Sequence, residues 1–145
     1  MRALRNGLLA GLFAGLALAM FNFVQDGAPG RTLPDALHWF GISLSDGTTS
    51  KYIGFILFIV LGSIAGLVYG LLQRGASTTL PRALSLGLLI GFAWWFVLPF
   101  LLNNITHHSF AFSFSDTLRS LPIDLLFGVV LGAAYFQWQG ADAKA

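Results

Sequence analysis

Apolar residues in this chain come in four long runs, with the polar residues gathered between them. The runs predict helices near 7–24, 52–72, 83–102 and 118–138. Each approaches or exceeds the ~20 residues that a helix needs to cross a ~30 Å hydrocarbon layer. The pattern predicts an all-α fold, a polytopic membrane protein forming one four-transmembrane-helix bundle over residues 1–145.

Within the runs, glycine recurs every fourth residue. The first carries Gly7, Gly11 and Gly15, and the second Gly62, Gly66 and Gly70. Gly87 and Gly91 lie in the third, Gly128 and Gly132 in the fourth. Glycines at i and i+4 share one helix face and let a neighbouring backbone come close. Such spacing weakens a helix in water, but in lipid close packing is a main source of helix affinity. These ten glycines are therefore expected to face other helices.

The runs also echo one another. Gly62-Ser-Ile-Ala-Gly66-Leu-Val-Tyr69 is matched by Gly128-Val-Val-Leu-Gly132-Ala-Ala-Tyr135, and Gly7-Leu-Leu-Ala-Gly11 by Gly87-Leu-Leu-Ile-Gly91. The chain therefore reads as two copies of a helical hairpin, a parallel repeat about an axis along the membrane normal. The brief connection from Gln73 to Pro81 makes the second and third spans antiparallel, and predicts that they are neighbours.

The connections outside the spans differ in character. Thr32-Leu-Pro34-Asp35 opens like a capped helix, and Trp39 and Phe40 follow around His38. About two turns cannot span, so a short interfacial helix is expected in this first outer loop. The stretch 45–50 reads as a turn with a cap for the second span. The stretch 109–115 alternates serine or alanine with phenylalanine, the period of an extended segment dipped into the interface.

Basic residues set the orientation. Arg2, Arg5, Arg74, Arg82 and Lys144 fall on one side; Arg31, Lys51 and Arg119 fall on the other. The excess places both termini in the cytoplasm. The basic start and Ala17-Leu-Ala19 resemble a cleavable signal, but the apolar run continues to Val24, so a retained span is expected.

Composition agrees with the pattern. The chain is 56% apolar and 10% charged, with a mean hydropathy of +0.75, whereas soluble domains carry about 25% charged residues. A net charge of +2 is too small to argue for nucleic acid, and no nucleic-acid motif is present. With no cysteine, a disulfide framework and a thiolate metal site are excluded.

Candidate chemistry is sparse. The spans hold no histidine, which removes bis-histidine ligation of a haem within the bilayer. The pair His107-His108 sits in the second outer loop without a nearby third ligand. No phosphate-binding loop, metalloprotease motif or nucleophile elbow occurs, so no enzyme and no cofactor is expected. Trp94 and Trp95 lie near mid-span, away from the interface that tryptophan favours. They serve either as contacts for a flat lipophilic molecule or as bulk against lipid and neighbouring helices.

Asp124 is the exception. It lies about one turn inside the fourth span, on the stripe shared with Gly128 and Gly132. A carboxylate within a membrane is costly and raises a functional candidate. The other reading is a polar anchor near the outer surface, bonded to Asn22, which lies on the glycine stripe of the first span.

Taken together, the Gly-Leu-apolar-Ala-Gly opening, the stretch Gly87 to Pro99 and the Gly128-x-x-x-Gly132-x-x-Tyr135 segment resemble the YagU-like group of small four-span bacterial inner-membrane proteins. Such relatives often carry a histidine where this chain has Asp124, and the equivalent place in the second span is Phe58. The resemblance implies a four-span fold and no known activity. The expected role is a structural or accessory packing component in the lipid bilayer, as a homo-oligomer or within a larger membrane complex. The rival is a small transporter or channel with Asp124 at its outer end.

Overall fold

A computed structural model describes residues 2–25, 47–75, 79–105 and 114–142. These form four helices: α1 (Arg2–Gln25), α2 (Gly47–Leu72), α3 (Leu80–Ile105) and α4 (Phe114–Asp142). There is no strand among the described residues. Three helices contain stretches long and apolar enough to cross a membrane, at Arg2–Met20, Leu80–Val97 and Leu121–Gly140. In α2 the described apolar stretch is shorter, Phe58–Leu72.

The helices outrun the apolar segments. α2 starts at Gly47, inside the stretch read as a turn, and α4 at Phe114, inside the alternating stretch. At 26 residues, α2 is about 39 Å long, more than the hydrocarbon layer needs. The interfacial helix expected near 32–42 lies outside the described residues, as do His107 and His108.

Small residues line the helix seams, and many large apolar ones lie outside. Ala10, Ala14, Ala65 and Ala83 are buried, while Leu89, Phe96 and Ile56 are about 60% or more exposed. A water-soluble core would bury the larger side chains to remove their apolar surface from water. Hydrocarbon removes that drive and leaves close packing to hold helices together.

The packing is pairwise. α1 lies antiparallel on α2, with Gly11 against Gly62 and Gly66, and Gly7 against Gly66 and Gly70. A Cβ built on Gly62 would meet the Gly15 Cα at 2.6 Å and the Gly11 carbonyl oxygen at 2.7 Å. In α3 and α4 the facing pairs are Gly87 with Gly128, Gly91 with the Asp124 carbonyl, and Ala83 with Gly132. In both hairpins the glycine hydrogen that stands where a Cβ would be aims at a carbonyl across the seam. Such Cα–H···O contacts recur at helix interfaces and contribute about 0.5–1 kcal/mol each.

The hairpins meet mainly through α1 and α4, whereas α2 and α3 touch only slightly. The short connection therefore does not make α2 and α3 extensive neighbours. The glycine seams claim α1 for α2 and α4 for α3, and the connection holds the remaining pair together at one end. Ala10, Ala14 and Leu18 of α1, Ala65 and Tyr69 of α2, Ile90 of α3, and Phe127, Leu131 and Tyr135 of α4 form one core.

Candidate functional site

The arginine-rich end holds a cluster of buried polar side chains. Near the end of α2 and just past it, Tyr69 and Gln73 are both almost fully buried. Arg74 and Gly75 then make the turn to α3, with Gly75 at φ +80, where a residue with a Cβ is strained. Pro81 sits in the first turn of α3, where its missing N–H costs nothing. The Ala83 amide donates to the Thr79 carbonyl at 2.9 Å, closing that first turn.

This geometry sets up a chain of hydrogen bonds between α2 and α3. The Gln73 Nε2 donates to the Tyr69 hydroxyl at 3.2 Å, and that hydroxyl donates to the Ala83 carbonyl oxygen at 2.8 Å. Tyr69 and Gln73 are one turn apart and so lie on one face. The chain ends at Gln73 Oε1, which is buried and has no hydrogen-bond partner.

α4 carries the same pair of residues, Tyr135 and Gln139. The Tyr69 and Tyr135 rings meet at 4.9 Å, tilted by 58°, an offset geometry that aromatic pairs favour. Gln139 Oε1 is likewise buried without a hydrogen-bond partner. On α1, Asn6 is buried at this end and accepts from the Arg5 Nε at 3.3 Å. Elsewhere in the spans the hydroxyls of Ser63 and Ser85 donate to carbonyls one turn back, both at 2.8 Å. Among the described side chains, the two glutamine oxygens thus stand out as buried and without a partner.

The residues singled out from the sequence fall elsewhere. Asp124 is partly buried at the far end of the α3–α4 seam, where its carbonyl faces Gly91. The side chain of Asn22 lies outside the described ones. The stripe below it, Gly7 to Gly15, packs on α2, while the stripe of Asp124 packs on α3. Trp94 is partly buried against the core. Trp95 packs on the exposed Phe92, ring centroids 5.5 Å apart. Among the described residues no three histidine or acidic side chains cluster as metal ligands.

Tyr69, Gln73, Tyr135 and Gln139 as a set escaped the sequence reading, although a signal was present. Both tyrosines were visible as ends of the glycine motif, and each has a glutamine four residues on. The echo between the odd spans is also longer than its glycines, since Arg2-Ala3-Leu4 matches Arg82-Ala83-Leu84. Ala83 supplies the carbonyl that Tyr69 uses.

Comparison with protein-family models, with curated proteins and with solved structures gave no match.

Proposed function

We propose that the protein is an integral component of the bacterial inner membrane whose role is structural or accessory rather than catalytic. Its four helices form a duplicated hairpin held by two glycine zippers, with both termini in the cytoplasm. The observation that carries the reading is the sorting of side chains: the helix seams are lined by glycine and alanine, while many leucine, isoleucine and phenylalanine side chains face outward. Such a surface is stable only against lipid or another apolar surface. The glycine faces are occupied within the chain, so association with a second copy or a larger complex uses the outer apolar faces.

The test is extraction followed by sizing. The protein should stay in the membrane through an alkaline carbonate wash. In mild detergent it should then migrate above its 15.6 kDa monomer mass after correction for bound detergent. Release by carbonate would overturn the membrane reading. A lone monomer that passes protons or cations in liposomes, and loses that flux in Asp124→Asn, would establish the transporter instead.

A further inference from the structure

We propose that the arginine-rich end binds an anionic lipid headgroup bearing free hydroxyls, the phosphoglycerol class. Its hydroxyls donate to Gln73 Oε1 and Gln139 Oε1, and its phosphate lies among the arginines. The inference rests on the membrane reading above and concerns an end of the molecule that reading leaves without a role.

Two acceptors start the argument. Gln73 is 2% exposed, and both glutamine oxygens are buried without a hydrogen-bond partner. A buried amide oxygen left without a donor is costly, more so where no bulk water reaches. The two oxygens occur at equivalent places in the repeated Tyr-x-x-x-Gln segment. The amide of Gln73 is already committed to Tyr69, so its oxygen accepts from outside the chain.

Charge then narrows the donor. Arg2, Arg5, Arg74 and Arg82 are all exposed at this end. Their placement follows from the packing. Arg74 succeeds Gln73, and Arg82 precedes the Ala83 that is bonded to Tyr69. Arg2 precedes Ala3, whose carbonyl packs on Gly70. Four guanidiniums repel an ammonium donor and attract a phosphate, for which arginine has matched geometry. Basic groups at the cytoplasmic ends of spans are where anionic headgroups bind. A phosphodiester with hydroxyls answers both demands, whereas phosphatidylcholine lacks the donors and phosphatidic acid offers at most one P–OH on the phosphate itself, with none left for a second acceptor.

Access requires no glycine seam to open. Gln73 lies just past the last residue of α2, in the turn to α3, between two helices that touch only slightly. A headgroup hydroxyl entering there meets the oxygen while the amide stays on Tyr69.

The test measures thermal stability and lipid binding of the purified, delipidated protein with defined lipids in detergent. Phosphatidylglycerol should bind more tightly than phosphatidic acid, phosphatidylethanolamine or phosphatidylcholine. One hydrogen bond in a membrane protein corresponds to about threefold in affinity. Gln73→Met and Gln139→Met should each remove about that much of the preference over phosphatidic acid, while Arg74→Gln and Arg82→Gln weaken both anionic lipids. Should Gln73→Met fail to fold, Gln139→Met carries the test, since that residue is outside the Tyr69 chain. Equal binding of soluble glycerol 3-phosphate would assign the same site to a soluble ester. Equal affinity for all four lipids would overturn the proposal, as would phosphatidylethanolamine matching phosphatidylglycerol or a preference surviving both methionine variants. Lipid indifference in a protein that resists carbonate would sink this site and leave the membrane reading standing.

Discussion

Gly66 is the most exacting position in the first hairpin. A Cβ there would meet the Gly7 carbonyl oxygen, the Gly11 Cα at 2.6 Å and the Gly11 nitrogen at 2.7 Å. All are backbone atoms, so no rotamer can relieve the clash. Reaching ordinary contact near 3.4 Å with the nearest of these, the Gly7 oxygen, would part α1 and α2 by about 1 Å at that level. A radial gap of that size forfeits a quarter to a half of each dispersion contact along the seam. Overpacking of this kind costs about 1–3 kcal/mol, and the Cα–H···O contacts lengthen with it.

Against this stands the gain from replacing glycine by alanine in a helix, about 1 kcal/mol. Gly140 isolates that gain, because a Cβ there meets nothing within 4 Å. Gly66→Ala should therefore lie about 1–3 kcal/mol below Gly140→Ala. Gly66→Leu should fall further, because a leucine side chain needs the helices apart over a full turn. Unfolding of the detergent-solubilised protein with added dodecyl sulfate, followed by tryptophan fluorescence, measures these differences. Gly11→Ala combined with Gly66→Ala should cost less than the sum of the two, since one parting of the helices relieves both. Gly66→Ala with Gly132→Ala should add, the two being in separate seams. Equal stability of the leucine variants at 66 and 140 would refute the reasoning.

Other expectations follow from the same contacts. Tyr69→Phe removes the bond to Ala83 and strands the Gln73 amide, and should cost about 0.6–1.7 kcal/mol in the same titration; a cost of zero would mean the chain is not formed in lipid. Single cysteines at Ser77 and Ser113 should differ on intact cells, with an impermeant reagent labelling 113 and not 77; the reverse would invert the orientation. Asp124→Asn should fold and unfold like the parent if the residue is an anchor, whereas a loss of ion flux with the fold intact would make it functional.

The fold class was legible in the sequence because two signals are local. An apolar run of span length needs no partner to be recognised, and a four-residue glycine rhythm marks a face whatever it packs on. What glycine spacing does not carry is the identity of the partner. A face without a Cβ accepts any backbone, so the stripes of the first and fourth spans were as free to meet each other as to meet α2 and α3. The polar end was missed for a different reason. Gln73 and Gln139 lie at the edges of apolar runs, where a glutamine reads as a helix terminus. Only burial shows that its oxygen is shut away from water.

The partner's register is fixed by larger residues at the ends of each stripe. Matching residue for residue, Gly7 corresponds to Gly87, and Gly66 and Gly70 to Gly132 and Phe136. Gly7 packs on Gly66 and Gly70, but Gly87 packs on Gly128 and Gly132, one helical turn away from the corresponding pair. The cause is Phe136. In the first hairpin the equivalent Gly70 lies so close to α1 that a Cβ would reach the Ala3 carbonyl oxygen at 2.5 Å. A phenylalanine there excludes that register, so α3 is displaced by a turn, about 6 Å, and brings Ala83 onto Gly132. Trp95, where α1 has Gly15, closes the other end of the α3 stripe. The displacement also breaks the equivalence of the halves, since Tyr69 finds the Ala83 carbonyl across the slight α2–α3 contact. Two similar hairpins thus produce one asymmetric molecule, and a single aromatic residue at the end of a glycine stripe accounts for the difference in register.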